Sequence, residues 1–262
     1  MKEVLVMKIG GKVIDDLPAL QSFLTSWAKL PGEKILVHGG GKSATNVAAK
    51  LGVEAPMIQG RRITNEGMLE VAMMVYGGLV NKRIVSFLQS QGVNALGLTG
   101  ADLNVIKAHK RPVKEIDYGF AGDIDTVDGD MLSYLLEKGI TPVMAPLTHD
   151  KQGQMLNTNA DTIAATVASA LSSHFSVRLM YTFEKAGVLT DAEDDKSVIP
   201  QLTPSLYDGY KADGTIVEGM IPKLDNAFSA LHAGVKSVYI GKQEAMNSIY
   251  EPSFSGTTLC LA

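Results

Sequence analysis

Two lysines stand where lysine is locally unfavourable. Lys8 lies inside the apolar run "VLVMKI" at 4–9, where a buried ammonium is costly unless it is paired or faces a site. Lys223 follows Pro222 at the start of a helical stretch, where its charge opposes the helix dipole. Glycines sit close to the first of them. Gly10 and Gly11 end the first run, and Gly39, Gly40 and Gly41 end a second run at 34–38. Glycines at a strand-to-helix junction expose backbone N–H groups, and the helix N-terminus adds a positive dipole, so such junctions bind anions. A tight turn with glycines for steric reasons alone would give the same letters. Two misplaced cations and two such loops point to a shared anion.

The second loop, "HGGGKS" at 38–43, looks like half a P-loop. The full motif needs a glycine five residues before Gly41, and that position holds Leu36 inside the strand. The dinucleotide fingerprint fails as well, because its third glycine would fall on Ala44. Lys42 then reads as an ordinary side chain on the first turn of a helix.

The elements that must hold these residues are legible in outline. Runs at 4–9, 34–38, 95–99, 141–146, 177–183 and 237–240 are nearly continuous in apolar character, the pattern of strands buried on both faces of a parallel sheet. Between them lie helical patterns: 69–88 stopping at Gly92, an Ala-rich stretch 161–171, and 224–233 ending at Gly234. This alternation predicts an α/β fold, an open αβα sandwich with a mostly parallel central sheet. Two regions break the pattern. Residues 104–128 read as an inserted hairpin, and the polar stretch 190–219 as holding a mobile loop.

With 262 residues and 45% apolar content, the chain can bury a sizeable core. A net charge of -4 argues against a nucleic-acid surface. The single cysteine, Cys260, allows no internal disulfide, and the first apolar run is too short for a membrane span or signal segment, which predicts a cytoplasmic protein with no membrane partner. No metal site is expected. The five histidines (38, 109, 149, 174, 232) show no ligand spacing, and "GDIDTVDGD" at 122–130 fails as a calcium loop at Val127 and Tyr134. Its aspartates are expected to serve turns and helix caps. His38, beside the glycines, could touch substrate; a structural hydrogen bond is the expected role.

Six stretches together resemble the amino-acid kinase superfamily, most closely the N-acetylglutamate kinases. They are "KIGGK" (8–12), "LVHGGG" (36–41), "GRRIT" (60–64), "GFAGDI" (119–124), "LNTNAD" (156–161) and "EGMIPK" (218–223), in the family's order and spacing across essentially the whole chain. The resemblance implies a carbamate kinase-like fold of two lobes. Residues 1–173 would bind an N-acyl-L-glutamate and form a homodimer; residues 174–262 would bind ATP. It implies phosphorylation of the side-chain carboxylate, a step of arginine biosynthesis, with Mg²⁺ held mainly by the phosphates. Lys8 and Lys223 match lysines that neutralise the transferring phosphoryl group, and Asp161 matches the aspartate that orients them. Gly40, Gly41, Arg62 and Asn157 match the acyl-amino-acid site; Gly10, Gly11, Glu184 and Gly187 fall on the nucleotide and phosphate side, and Gly40 also matches a phosphate donor.

The chemistry agrees with that assignment. A glutamate carboxylate, which ordinarily titrates at about pH 4.3, is already ionised and needs no general base. Transfer then reduces to in-line positioning and neutralisation of phosphoryl oxygens. Arg62 suits a substrate carboxylate because its fork engages both oxygens. Asp161, between "LNTN" and an Ala-rich helix, could also be an N-cap. Arg61 is expected on the surface. The segment "TFEKAGV" (182–188) departs from the family pattern, with Glu184 replacing an aspartate and Lys185 an apolar residue. The acyl group stays open, N-acetyl or N-succinyl, and so does a non-catalytic regulatory protein on the same fold. The Met-rich stretch 67–80 reads as core, and the resemblance implies that this helix packs across a two-fold axis, as the equivalent helix does in related kinases. In the resembled family, arginine-inhibited hexamers carry an additional helix before the first strand; here that strand begins near Glu3, so the resemblance implies a dimer insensitive to arginine.

Overall fold

The structure, a computed structural model, describes residues 1–58, 61–191, 193–216, 219–251 and 253–261. In chain order the strands are β1 (Glu3–Ile9), β2 (Glu33–His38), β3 (Met57–Ile58), β4 (Arg61–Arg62), β5 (Ala95–Leu98), β6 (Ile106–Lys110) and β7 (Gly122–Val127). They continue with β8 (Thr141–Met144), β9 (Leu147–His149), β10 (Met155–Asn157), β11 (Ser176–Thr182), β12 (Gln201–Leu202), β13 (Ser237–Gly241) and β14 (Thr257–Leu259). The main sheet runs β12-β14-β13-β11-β1-β2-β8-β5. Its pairings are parallel, except that β14 runs antiparallel to β13. All six expected runs are strands of this sheet.

Side chains alternate across it with the period of two that a strand imposes. On β1, Val4 and Val6 join the core of one face, while Leu5, Met7 and Ile9 join the other. The helices Gly129–Glu137, Ala160–Leu171 and Ile221–His232 cover the first face; Leu17–Ala28, Gly41–Lys50 and a long helix at 66–90 cover the second. Burial on both sides is why the runs read as continuously apolar. The result is the expected αβα sandwich. The same alternation places Lys8 on the face of Val4 and Val6, under the helix Ala160–Leu171.

The helix expected over 69–88 spans Glu66–Ser90, and Asn65 caps it by accepting the N–H of Met68 at 2.8 Å. It is not regular. Between Met73 and Val80 the bonding widens to the π pattern, around Gly77 and Gly78, which lower the cost of leaving α geometry. By length and composition this helix could cross a membrane. Met68, Val71, Ala72, Val75, Ile84 and Leu88 are instead buried against the sheet, the pattern of a core helix.

The hairpin expected within 104–128 forms: β6 pairs antiparallel with β7 and joins the small sheet β10-β9-β6-β7. Of its aspartates, Asp128 caps the helix Gly129–Glu137. Asp123 and Asp125 correct the expectation of turn and cap roles, because both lie on β7 and pair with Arg111 and His109 of β6 and its end. The polar stretch 190–219 carries β12 and the helix Pro204–Ala212, capped by Thr203. At the head of β2, the buried Lys34 donates to the carbonyls of Trp27, Ala28 and Leu30 at 3.1, 2.9 and 2.5 Å, closing the C-terminus of the helix Leu17–Ala28.

Candidate active site

In parallel sheets ligands bind beyond the carboxyl ends of the strands. At that edge β1 and β2 lie side by side, with Ile9 in register with His38, so the turn at Gly10 and the turn at Gly39 are neighbours. Both predicted glycine loops therefore open on one side of the sheet.

Lys8 projects from β1 to Asp161 Oδ1 at 2.8 Å, and Lys223 reaches Asp161 Oδ2 at 2.7 Å from the first turn of Ile221–His232. Asp161 is 7% exposed. Burial alone would raise its pKa; the Lys8 and Lys223 ammonium groups overcome that and hold the carboxyl well below the usual range. The carboxylate thus spaces two cations, and it offsets the placement of Lys223 against its own helix dipole. The ammonium of Lys223 also lies 5.6 Å from the ring centroid of Phe183.

The N-cap reading of Asp161 is corrected. Asn159 is the cap, its Oδ1 accepting the N–H groups of Asp161 and Thr162 at 2.8 and 3.1 Å. Asp161 sits one step inside the helix, which frees its carboxylate for the lysines. Two further residues escaped the sequence. Tyr181, whose phenol burial drives far up, donates to the Asp161 carbonyl at 3.2 Å. Thr182 Oγ1 accepts the N–H of Gly10 at 3.1 Å, so that amide is already engaged. Gly11, expected beside Gly10, begins the short helix Gly11–Asp15, and a Cβ there would meet only Asp15 Oδ2, at 3.9 Å.

A second group forms beyond β2. Gly40 has φ +145°, a conformation side chains rarely adopt, and a Cβ there would stand 3.0 Å from Tyr76 Cδ1. Arg62 donates to the Gly41 carbonyl at 2.9 Å, to Thr45 Oγ1 at 2.8 Å and to the Ala55 carbonyl at 3.3 Å. Asn157, ending β10, donates to Thr64 Oγ1 at 3.0 Å, and Thr64 in turn donates to the Arg62 carbonyl. Gly41, Arg62 and Asn157 are thereby linked. Gly119 of the hairpin packs so closely that a Cβ would lie 2.2 Å from the Thr64 carbonyl oxygen.

The remaining positions are more scattered. Glu184 forms an exposed ion pair at 2.6 Å with Lys12, just after the first glycine turn. Gly187 packs on β14: a Cβ would meet Thr257 Oγ1 at 2.6 Å, and that hydroxyl accepts the N–H of Val188. Packing alone accounts for that glycine. Lys42 and Arg61 are exposed, as expected. Gly60 and Glu218, the first residues of "GRRIT" and "EGMIPK", lie outside the described residues. Among the described residues no three His, Cys, Asp or Glu side chains converge as a metal site.

Comparison with known proteins gives a consistent result. The family model described as "Amino acid kinase family" matches residues 3–242. A Bacteroides thetaiotaomicron protein named acetylglutamate kinase is 59% identical over 92% of this chain and 94% of its own. A solved Streptococcus mutans structure superposes with TM-score 0.80 at 27% identity, covering all of both chains. A Giardia carbamate kinase structure shares the fold with TM-score 0.70 at 11% identity, over 100% of this chain and 99% of its own.

Proposed function

Because the chain belongs to the amino acid kinase family, we propose that it transfers the γ-phosphoryl group of ATP to the side-chain carboxylate of N-acetyl-L-glutamate, a step of arginine biosynthesis. A carboxylate oxygen of the acceptor attacks the γ-phosphorus, the bond to the β-phosphate oxygen breaks, and an acyl phosphate and ADP result. No proton moves, because the acceptor is already ionised at neutral pH.

The observation that carries this reading is the Asp161 carboxylate held between Lys8 and Lys223. A buried anion that keeps two ammonium groups apart and oriented forms a cradle for phosphoryl oxygens, which need positive charge on more than one side. Gly11 and Gly40 supply backbone donors to the same group. Arg62, Gly41 and Asn157 hold the acyl-glutamate, with the Arg62 fork on a carboxylate. The N-terminal lobe binds this acceptor and the C-terminal lobe binds ATP, with Glu184 and Gly187 on the nucleotide side. Mg²⁺ would enter as part of the nucleotide substrate. The site's charged donors are cations suited to phosphate oxygens, and both oxygens of Asp161 are already engaged, so the phosphates themselves are the metal's ligands. When bound, that metal would draw charge off the phosphoryl oxygens. The protein is cytoplasmic and a homodimer; Met73, Met74 and Leu79, exposed on the long helix, suit the two-fold contact.

The deciding experiment is a substrate panel with MgATP, trapping acyl phosphate as the hydroxamate with N-acetyl-, N-succinyl- and free glutamate. Turnover of the N-acetyl compound alone is expected. Preference for the succinyl compound would change the acceptor, and inactivity on all three would sink the reaction.

A further inference from the structure

His38, the last residue of β2, is fully buried beside the second glycine turn. Its ring nitrogens have different neighbours. Nδ1 lies 2.8 Å from the Gly39 carbonyl oxygen, and Nε2 lies 3.1 Å from Nδ2 of Asn81, itself 1% exposed. Asn81 Nδ2 also donates to the Val143 carbonyl at 2.9 Å, while Lys82 Nζ donates to Asn81 Oδ1 at 3.2 Å. A carbonyl on one side and a cation on the other fix which way the amide points. Its nitrogen can only donate, so His38 Nε2 must accept, and the ring proton sits on Nδ1, where it donates to Gly39. Burial pulls the ring's pKa down to about 4, against the pull of the Gly39 carbonyl and with the help of the Lys82 charge, so the imidazole is neutral.

The pair is built in from several sides. A Cβ on residue 97 would stand 1.9 Å from Asn81 Oδ1, so β5 makes room for the amide by having Gly97. Asn81 follows directly on the π stretch Met73–Val80, and Tyr76 and Val80 from that stretch line Gly40. Single turns of π bonding are frequent at functional sites, where they reset the phase of a helix.

The consequence falls on Gly40. The peptide joining it to Gly39 is trans and planar, so a fixed Gly39 carbonyl oxygen aims the Gly40 N–H in the opposite direction. A glycine at φ +145° has no side chain of its own to hold that plane. We propose that His38 and Asn81 are positioning residues for phosphoryl transfer: Asn81 selects the Nδ1–H tautomer of His38, and that ring orients the Gly39–Gly40 peptide toward the substrate. The proposal rests on the reading of Gly40 as a donor given above.

The test combines ¹⁵N NMR of the imidazole in the full-length protein with steady-state kinetics. In the wild type the bound proton is expected on Nδ1, with the ring neutral at pH 6. In Asn81→Asp the carboxylate accepts, so the proton should move to Nε2, with about 100-fold lower kcat/KM for N-acetylglutamate. His38→Asn keeps a donor near the Nδ1 position and should stay within about tenfold of wild type, whereas His38→Leu should lose about 100-fold, with KM for ATP unchanged in both. A wild-type proton on Nε2 overturns the proposal, as do equal losses in the Asn and Leu variants at equal Tm. The tautomer is read on the unmodified protein, so the proposal can still be overturned if a variant fails to fold. Absence of any acyl-glutamate turnover in the wild type would remove the reaction while the tautomer still showed whether the pair is built this way.

Discussion

Thr182 Oγ1 accepts the N–H of Gly10 at 3.1 Å, tying the end of β11 to the first glycine turn. One amide that the sequence offered to phosphate is thus spent on holding the loop next to Lys8. The turn is expected to loosen when that hydroxyl is removed. Thr182→Val should lower kcat/KM for ATP about tenfold, consistent with the loss of one part-buried hydrogen bond, while Thr182→Ser should stay near wild type. Equal activity in both variants would show that the bond positions nothing.

The two lysines should be separable from their neighbours by kinetics. Lys8→Met and Lys223→Met are each expected to reduce kcat by about 100- to 1,000-fold, the range for a preorganised donor to developing charge. Lys42→Ala, exposed on the helix Gly41–Lys50, should leave turnover unchanged. Single-turnover phosphoryl transfer from ATP separates chemistry from binding. A Lys223→Met enzyme with wild-type kcat would break the assigned mechanism.

The depressed pKa of Asp161 has a sign that can be checked. Its folded-state value lies below the unfolded one, so its contribution to stability is present above the unfolded pKa of about 3.9 and is lost as pH falls toward the folded value. Urea unfolding at pH 6, 5, 4 and 3 should show wild type more stable than Asp161→Asn, with the gap narrowing below pH 4. A gap that widens on acidification would contradict the pairing.

Arg62 should act on the acceptor more than on chemistry. Arg62→Lys keeps the charge and loses the fork, along with simultaneous contact to Gly41, Thr45 and Ala55. KM for N-acetylglutamate is expected to rise about tenfold or more while kcat changes little, the signature of lost uniform binding. A selective fall in kcat would place Arg62 on the phosphoryl group instead.

Lys34 is a stability test with no catalytic content. Lys34→Met leaves three helix-end carbonyls without their donor and should cost about 2–3 kcal/mol in unfolding free energy. Kinetic constants at 25 °C should not move. Trp27, whose ring lies 4.9 Å from the ammonium, gives a fluorescence signal for the same variant.

The parts of this molecule that were legible in its sequence are those set by local period or by misplaced charge. Doubly buried strands show as apolar runs; Lys8 stands out because burying an ammonium is costly, and Lys223 because its charge opposes a helix dipole. What stayed hidden depends on distant partners. Asn159 and Asp161 are both good capping residues, and only the position of the two lysines decides which one turns inward. The π stretch leaves no mark in a 3.6-residue pattern, so Asn81 reads as an ordinary polar residue on a helix. Thr182 is one more β-branched residue until Gly10 is found opposite it. Gly187 looks like a nucleotide-loop glycine, yet the close approach of Thr257 is reason enough for it.

The position of β1 in the sheet bears on how the protein is made. Its partner on one side, β2, follows within a few dozen residues, but its partner on the other side, β11, arrives only with Ser176–Thr182. During synthesis, one edge of this apolar strand stays unpaired until those residues emerge. An open, flat, apolar edge is a template for pairing with another chain. Refolding yield should therefore fall with protein concentration, and a chaperone that shields strand edges should restore it. The site waits on the same event, because β11 brings Tyr181 and Thr182 to Asp161 and Gly10.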